Sequence, residues 1–435
     1  MAAITIIGAG LAGSEAALYL ADNGLPVRLF EMRPAKMTPA HQTGLAAELV
    51  CSNSLKSTLL DTPSGMLKEE LRLLGSKLLP LAESCAVPAG HALAVDRGLF
   101  AQKVDALIQA HPKIEYVHEE VTKLPQSVCI LCSGPLTSDA LAAELQNTVG
   151  ESQLCFFDAI APIVSADSLD LSRIYRKDRY DKGDPDYLNC PFTRDEYHVF
   201  VDALLSGEQH QAHEFENEFF RDLKFTYYEN CTPVEELARR GKDTLRHGVM
   251  RPMGLEHEGR KPFAVLQLRT ENSDQTAFNL VGCQTMLCHP EQKRVFRLIP
   301  GLEQAEFLRF GSIHRNSYLN APQVLAPNLA LRNARNVFVA GQLSGVEGYM
   351  ECVATGLLVA KIISEGISML PQQTILGQLW RRLTDPGQNN FQPVNANFGL
   401  LPALAQPVRD KKLKKMSLAK RGIEALQQFL EEENE

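Results

Sequence analysis

The stretch "ITIIGAGLAGSEAALYLADNGLPVRLFE" at residues 4–31 decides the fold. An apolar strand pattern runs into three glycines, a helical stretch follows, and a second strand pattern ends at Glu31. In a Rossmann-like unit, such glycines provide a tight turn, close approach of backbone to a pyrophosphate and close helix packing, while the acid binds ribose hydroxyls. The order of these elements predicts a dinucleotide-binding α/β unit. The loop residues predicted to contact the dinucleotide are Gly8, Ala9, Gly10, Leu11, Ala12 and Gly13.

A second glycine-rich segment favours FAD over NAD as that dinucleotide. "VFVAGQLSGVEGY" at residues 337–349 reads as a late strand that ends in Ala-Gly, with a helix beginning soon after. It resembles the second flavin-contact segment of FAD proteins of the glutathione-reductase type, and it adds Gly341, Gly345 and Glu347 to the predicted cofactor contacts. Glu347 and Tyr349 either contact the flavin ring or cap and pack the following helix. The sequence has no second G-x-G-x-x-G, so NADH or NADPH would have to reach the flavin through an open cleft.

Length and composition predict a soluble globular protein with more than one structural unit. The chain has 435 residues, 45% hydrophobic and 22% charged, with a formal net charge of -8, so an RNA or DNA partner would need a local basic patch. No leader or membrane span is evident, and ten cysteines in a long chain of this kind indicate reduced thiols. We expect a cytoplasmic protein.

The order of predicted elements indicates an FAD-binding α/β domain of glutathione-reductase type with an inserted α+β domain. We predict its first part at residues 1–160, the inserted domain at 161–322, and the completing segment with a basic C-terminal helix at 323–435. Helices are expected near 64–75, near 99–110 and in "YMECVATGLLVAKIISEG", and strands in "KIEYVHEEV" and "SVCILCSG". The stripe predicted to be buried in the second helix consists of Phe100, Val104, Leu107 and Ile108.

Two cysteines stand in unusual surroundings. Cys51 lies among small polar residues in "AELVCSNSLK" (residues 47–56), which is unexpected for a thiol that only fills a core. Cys231 precedes a proline that can start a helix at "PVEELARRG", and the partial positive charge of a helix N-terminus favours a thiolate. From spacing alone, a small loop residue is the better explanation of Cys231.

Stretches spread along the chain resemble the folate- and FAD-dependent tRNA (uracil-5-)-methyltransferases, the TrmFO family. They include "EMRPAKMTPAHQT", "AELVCSNSLK", "VPAGHALAVDR", "RYDKGDPDYLNCP", "HRNSYLNAP", "AGQLSGVEGYMEC" and "FQPVNANFGL". The resemblance implies transfer of a methylene from methylenetetrahydrofolate, through FAD, to carbon 5 of the T-loop uridine (position 54) of tRNA. It also implies that NADH or NADPH supplies the electrons.

The same resemblance assigns roles to individual residues. The family's two functional cysteines fall on Cys51 and Cys231. We assign Cys231 to attack on carbon 6 of uracil, which makes carbon 5 nucleophilic, and Cys51 to removal of the carbon 5 proton; the opposite assignment stays open. His314 matches the position whose imidazole stacks on the folate ring, although a loop histidine that caps a turn is the alternative. The target base is expected to be flipped into the site.

Basic segments supply candidate RNA contacts, and no metal site is predicted. The run "VRDKKLKKMSLAKRG" suggests phosphate contacts, and a weaker basic set surrounds Arg179. The residues chosen from the C-terminal run are Lys411, Lys412, Lys414 and Lys415. Cys129 and Cys132 are expected in the core, and Cys283, Cys288 and His289 lack a partner set with zinc spacing.

Three alternatives remain at this level. At some positions the residues differ from those commoner in the family, and these differences leave a ribosomal-RNA uridine open as the target. A flavin-dependent tRNA-modifying enzyme of the GidA type shares the FAD fold but is longer. The third alternative is a non-catalytic flavoprotein that binds RNA or responds to oxidants.

Overall fold

A computed structural model describes residues 2–38, 40–150, 154–181, 185–209, 232–272, 274–388 and 391–433, with the backbone alone at 154–160, 181 and 312–317. The strands are β1 (Ile4–Ile7), β2 (Val27–Glu31), β3 (Ser54–Ser57), β4 (Ala86–Val87), β5 (Ala92–Val95), β6 (Ile114–His118), β7 (Cys129–Leu131), β8 (Leu154–Ile160), β9 (Ile163–Ser165), β10 (Tyr175–Arg176), β11 (Leu188–Phe192), β12 (Ala264–Thr270), β13 (Ala277–Leu280), β14 (Phe307–Arg309), β15 (Ser312–Tyr318), β16 (Ala330–Leu331) and β17 (Ala334–Val339).

The α-helices are α1 (Leu11–Asp22), α2 (Pro63–Leu73), α3 (Leu78–Glu83), α4 (Arg97–Ala110), α5 (Asp139–Val149), α6 (Arg194–Ser206), α7 (Val234–Arg239), α8 (Thr244–His247), α9 (His289–Phe296), α10 (Ala321–Val324), α11 (Tyr349–Glu365), α12 (Ile375–Thr384) and α13 (Lys411–Glu433). Among the described residues, no helix combines the length and the apolar character needed to cross a membrane.

A six-stranded sheet organises the N-terminal and C-terminal parts of the chain. Its strand order is β16-β17-β7-β1-β2-β6, and every neighbouring pair is parallel except β16 with β17. Parallel strands are buried on both faces, which explains the nearly continuous apolar runs of β1 and β7. Helices α1 and α11 pack so closely that a Cβ at Gly356 would lie 2.2 Å from the carbonyl oxygen of Ala12.

A second six-stranded sheet is formed by the middle of the chain. Its order is β10-β11-β12-β13-β9-β14, with every pair antiparallel. Helices α6, α7 and α9 pack with it around a core that contains Phe192, Phe200 and Phe296. Antiparallel β8 and β15 form a two-stranded ribbon between this segment and the first sheet, and β3, β5 and β4 form a small third sheet.

The apolar interior consists of two large clusters that follow this division. One contains residues of 4–149 and 318–426, and the other contains residues of 164–305. The mixed architecture, with a parallel sheet at its centre, is the predicted α/β class.

Most of the local predictions are confirmed, with one error. The helices predicted near 64–75 and 99–110 correspond to α2 and α4, and the two predicted strands correspond to β6 and β7. Phe100, Val104 and Ile108 of α4 are buried, but the side chain of Leu107 is 42% exposed. The prediction for Leu107 was wrong because its position falls beside the buried stripe, where the helix faces solvent.

Candidate functional site

The glycine loop after β1 forms one wall of a cavity at the carboxyl end of the parallel sheet. Gly8 has a φ of +99°, and a Cβ there would lie 2.5 Å from the carbonyl oxygen of Cys132. A Cβ at Gly13 would lie 1.9 Å from the carbonyl oxygen of Gly8, whereas a Cβ at Gly10 would meet nothing within 4 Å. Gly8 and Gly13 are therefore required by turn geometry and packing, and Gly10 leaves open space at the N-terminus of α1, where backbone N–H groups favour an anion.

Glu31 is buried at the end of β2 and is tied to the same loop. Its carboxylate accepts hydrogen bonds from the backbone N–H of Ala9 at 3.0 Å and from the Nε of Arg33 at 2.9 Å. Burial acts to raise the pKa of Glu31, but the hydrogen bonds and charge of Arg33 outweigh it and hold the pKa below its ordinary value. Glu31 is thus kept ionised as a hydrogen-bond acceptor at the cavity wall.

The cavity has a volume of about 1020 Å³, including its open mouth. Its lining joins the glycine loop to the end of β2, as expected for a dinucleotide site. Predicted cofactor residues that line it are Gly8, Gly10, Leu11, Ala12, Glu31 and Gly341. Four others are not among the lining residues: Ala9, Gly13, Gly345 and Glu347.

Those four residues have structural contacts of their own. The N–H of Ala9 is bonded to Glu31, and the N–H of Glu347 donates to the carbonyl oxygen of Val394 at 2.9 Å. Gly345 has a φ of +92°, and a Cβ there would lie 2.5 Å from the ring of Phe391. They shape the cavity through the backbone that carries its lining.

Cys51 lies at this cavity because of Tyr349. The hydroxyl oxygen of Tyr349 accepts hydrogen bonds from the backbone N–H of Cys51 at 2.9 Å and of Ser52 at 3.1 Å. Both Tyr349 and Val50, the residue before Cys51, line the cavity. Tyr349 is the first residue of α11, which begins directly after the glycine-rich segment that the sequence associated with flavin contact.

The second sheet holds the same segment from the opposite side. Arg269 of β12 donates from Nε to the Oδ1 of Asn53 and from Nη2 to the Oγ of Ser52, each at 2.8 Å. Asn53 is fully buried, and its Nδ2 donates to the carbonyl oxygens of Val95 at 3.1 Å and Thr270 at 2.9 Å. The two residues that follow the half-buried Cys51 are therefore held by β12 of the second sheet.

A buried lysine fixes the strand that follows Cys51. The Nζ of Lys68 donates to the carbonyl oxygens of Leu55 at 2.6 Å and Ser57 at 3.0 Å and to the Oγ of Ser64 at 2.7 Å. Burial lowers the pKa of Lys68 to about 8. Since β3 begins three residues after Cys51, Lys68 helps to define the end of the loop that carries Cys51, which we call the cysteine loop.

Comparisons with known proteins identify the family of the chain. A model of the family Glucose inhibited division protein A matches residues 3–370. The protein of Bacillus subtilis named Methylenetetrahydrofolate--tRNA-(uracil-5-)-methyltransferase TrmFO is 48% identical, with 98% of each chain covered. The TrmFO protein of Heliobacterium modesticaldum is 49% identical over 99% of this chain and 98% of its own. The chain belongs to the TrmFO family.

A solved structure shows the fold that TrmFO shares with a related group. The structure of Aquifex aeolicus GidA matches with a TM-score of 0.68 at 15% identity, covering 99% of this chain and 75% of the GidA chain. That likeness supports the Rossmann-like fold of FAD-binding type and says nothing further about activity. The GidA chain extends beyond the matched part, as the sequence had indicated for that group.

The structure describes the remaining predicted TrmFO site residues to different extents. Cys231 lies outside the described residues. His314 lies on β15 opposite Asp158 of β8, and only its backbone is described. The side chain of Arg179 donates to the carbonyl oxygens of Arg251 at 2.9 Å and Met253 at 2.7 Å, so it holds a neighbouring turn. The four chosen lysines are exposed at the start of α13.

Predictions of plain core cysteines are also met. Cys129 and Cys132 are buried, and burial raises the pKa of both thiols. Among the residues that the structure describes, no group of three or more His, Cys, Asp or Glu side chains is arranged to hold a metal ion.

Arg269, Asn53 and Lys68 were not identified from the sequence as parts of the site. Asn53 was noticed only as a polar neighbour of Cys51. Arg269 and Lys68 offered a weak signal, which is a cation inside an otherwise apolar strand or helix stripe. Such a signal says that a partner exists but does not say which one.

Proposed function

We propose that this chain transfers the one-carbon unit of methylenetetrahydrofolate to carbon 5 of the T-loop uridine of tRNA, at position 54. FAD is the bound cofactor, and NADH or NADPH is the reductant. The observation that carries the proposal is the tether of Cys51 to Tyr349, because Tyr349 lines the cavity and its hydroxyl accepts the backbone N–H of this family cysteine. The names of the TrmFO relatives favour tRNA over ribosomal RNA as substrate. Since the substrate is a tRNA, we propose the cytoplasm as the place of action.

FAD fits the residues present in the cavity. Gly10 leaves room for a pyrophosphate at the N-terminus of α1, and the ionised Glu31 carboxylate suits ribose hydroxyls. Ala9, Gly13, Gly341, Gly345 and Glu347 complete the proposed cofactor contacts, directly or through the backbone they fix. Bound there, FAD supplies redox and one-carbon carrier chemistry that amino acid side chains lack.

The side chains of the protein then have to activate the uracil ring. The thiolate of Cys231 adds to carbon 6, and the electron pair released toward carbon 5 makes that atom a nucleophile for the one-carbon unit. Cys51 removes the proton from carbon 5, and the carbon 6 to sulfur bond breaks to restore the double bond. The role of Cys231 rests on the family resemblance, and the role of Cys51 is supported by its position beside the cavity.

Other contacts are proposed for the co-substrates. We propose that His314 contacts the folate and that Lys411, Lys412, Lys414 and Lys415 contact tRNA phosphates, as their exposure at one helix end allows. Arg179 stays in this proposal as a residue that shapes the RNA-facing surface through the turn it holds. The two apolar clusters support residues 161–322 as an inserted domain between the FAD-binding segments 1–160 and 323–435.

The decisive experiment is a product assay. The purified protein is incubated with an unmodified tRNA transcript, methylenetetrahydrofolate and NADH or NADPH, and the RNA is digested and analysed for ribothymidine. Formation of ribothymidine at position 54 supports the proposal. Reduction of the bound cofactor without ribothymidine overturns it, and ribothymidine formed only in a ribosomal-RNA fragment reassigns the substrate.

A further inference from the structure

The inserted sheet carries a groove that the proposed chemistry does not use. The groove lies along β10, the N-terminus of α6 and residues 257–263, and it has a volume of about 1240 Å³ including its open side. We call it the β10 groove. Its charged lining has four basic side chains and two acidic ones, in a protein whose formal net charge is -8. The groove is thus a local positive region on an acidic protein.

Three cations of the β10 groove form no close ion pair within the described residues, although the charge of Lys261 acts on the carboxylate of Glu256. Arg194, Arg260 and Lys261 are exposed and form no ion pair or side-chain hydrogen bond in that part of the chain. The fourth cation, Arg173, is paired with Glu196 at 2.5 Å, and this pairing satisfies one of the two acids. Three unpaired charges along one groove offer spaced contacts for a polyanion.

Arg260 is presented by a tight hairpin. His257 and Arg260 exchange backbone hydrogen bonds at 3.1 Å and 2.9 Å, and the two residues between them, Glu258 and Gly259, have φ values of +49° and +73°. A two-residue turn with positive φ at both positions is the type I′ geometry that matches the twist of paired strands. A glutamate in this conformation is uncommon, so the hairpin shape is held against local preference.

A flat aromatic surface lies beside the hairpin. The rings of Tyr175 and His257 are stacked, with centroids 4.3 Å apart and planes 3° from parallel. Tyr175 donates from its hydroxyl to the carbonyl oxygen of Leu255, and Lys177 donates to that of Glu256 at 2.8 Å. These bonds fix the hairpin on β10, so the ring surface and the backbone that carries Arg260 are preorganised.

We propose that the β10 groove binds nucleotides of the RNA substrate that lie away from the target uridine. Arg194, Arg260 and Lys261 contact phosphates, and an unstacked base packs against the exposed ring of His257. The inference rests on the proposed function and extends it, because it names where the rest of the RNA is held.

The position of the groove relative to Cys51 supports a large substrate. Residues beyond β10 touch the loop between β4 and β5, where the N–H of Gly90 donates to the carboxylate of Asp186 at 2.6 Å. Strand β5 pairs with β3, which begins three residues after Cys51. These contacts connect the region beyond β10 to the strand that follows Cys51, and the proposal requires an RNA large enough to span both places.

The test removes the three cations and compares the effect with that of an equal loss of positive charge elsewhere on the protein. The groove variant is R194A/R260A/K261A. The control variant is K123A/R332A/R335A, whose side chains are exposed and also unpaired within the described residues. Binding of an unmodified tRNA transcript is measured at several salt concentrations, and circular dichroism and flavin content verify folding.

The groove variant is expected to bind tRNA about tenfold more weakly near 0.1 M salt, and the slope of log affinity against log salt should fall by about 2 to 3. The control variant should shift both quantities far less. A separate His257→Ala change is expected to weaken binding about fivefold, and His257→Tyr should restore most of the loss through stacking.

Several outcomes overturn the inference. Equal affinities and slopes for the groove and control variants do so, as does a raised KM for NADPH with unaltered tRNA affinity, which would assign the groove to the nicotinamide co-substrate. The ribothymidine assay on the wild-type protein separates this inference from the proposed function. If no ribothymidine forms but the groove variant alone loses RNA binding, only the proposed reaction is refuted. If ribothymidine forms and the groove variant binds RNA as the control does, only the proposed role of the groove is refuted.

Discussion

The hydroxyl oxygen of Tyr349 lies 2.9 Å from the backbone nitrogen of Cys51, although 298 positions separate the two residues in the chain. The same oxygen accepts the N–H of Ser52 at 3.1 Å. Tyr349 lines the dinucleotide cavity, so one side chain links the cavity wall to the backbone that carries the thiol. Burial raises the pKa of Tyr349 well above its ordinary value, which keeps the hydroxyl protonated in the physiological pH range.

Removal of that hydroxyl should slow methylation without loss of the cofactor. Tyr349→Phe leaves two backbone N–H groups without an acceptor, at a cost of about 1 to 3 kcal/mol for each that stays buried. The cysteine loop is then free to move, and we expect the single-turnover rate of ribothymidine formation to fall about tenfold or more. The measurement is rapid-quench analysis of tRNA methylation together with the flavin content.

Tyr197→Phe is the matched control for this change. The hydroxyl of Tyr197 donates to the carbonyl oxygen of Lys242 at 2.7 Å within the other apolar cluster. The Tyr197→Phe change should lower the free energy of unfolding while leaving the methylation rate close to that of the wild type. A similar loss of rate in both variants would mean that general loosening, and not the tether to Cys51, limits the reaction.

Arg269 is expected to act as a positioning residue for the same loop. Arg269→Met removes the hydrogen bonds to Ser52 and Asn53 and leaves the buried Oδ1 of Asn53 without that donor. We predict a methylation rate reduced about tenfold and faster alkylation of the Cys51 thiol by iodoacetamide, read by mass spectrometry.

An arginine in the other cluster provides the comparison for Arg269. Arg297 donates to the carbonyl oxygen of Ala305 at 3.1 Å and 2.9 Å, far along the chain from the cysteine loop. Arg297→Met should lower stability and leave Cys51 alkylation unaltered. Alkylation of Cys51 at the wild-type rate in Arg269→Met would refute the positioning role.

The two thiols should fail in different ways if their assigned roles are right. Cys231→Ala should lose both methylation and the covalent adduct with an RNA that contains 5-fluorouracil, because no sulfur adds to carbon 6. Cys51→Ala should lose methylation and still form the adduct. Denaturing gels of the protein with labelled RNA measure this, and both variants should retain flavin. An adduct that persists in Cys231→Ala would transfer the role of nucleophile to Cys51.

The glycine loop shows why part of the site was predictable from sequence. Gly8 and Gly13 are restricted by backbone geometry within one strand-turn-helix unit, so their spacing alone carries the information. The helices α2 and α11 were predictable for the same reason, since their apolar period and flanking residues are local. Sequence patterns therefore predicted the structure that depends on neighbouring residues in the chain.

The contacts that hold the residues around Cys51 could not be predicted from the sequence. Asn53 meets Arg269 across 216 positions, and Lys68 bonds to the carbonyls of a strand that is irregularly paired. A buried cation must have partners, but the choice among distant carbonyls and amides is made by tertiary packing. The contacts of Arg179 were unpredictable for the same reason, because its guanidinium donates to carbonyl oxygens more than seventy residues away, at Arg251 and Met253.

Glu70 joins α2 to the start of α12 and gives a prediction about pH. Its carboxyl group accepts hydrogen bonds from the N–H of Ile375 at 2.7 Å and of Leu376 at 2.8 Å, and it is fully buried. Burial raises the pKa of Glu70 to about 7 from an ordinary value of 4.5, and the two hydrogen bonds only partly oppose this. The folded protein therefore holds a proton between pH 4.5 and 7 that the unfolded chain releases.

It follows that the contribution of Glu70 to stability is complete below pH 4.5 and is lost as the pH rises through 7. Glu70→Gln stays neutral, so the free energy of unfolding of the wild type minus that of the variant should fall by about 3 kcal/mol between pH 4.5 and 8. Urea denaturation at a series of pH values measures the difference. Glu69→Gln removes a half-buried carboxylate from the same helix and serves as the control. A difference that grows with pH would mean that the N–H groups of α12 outweigh burial and keep Glu70 ionised.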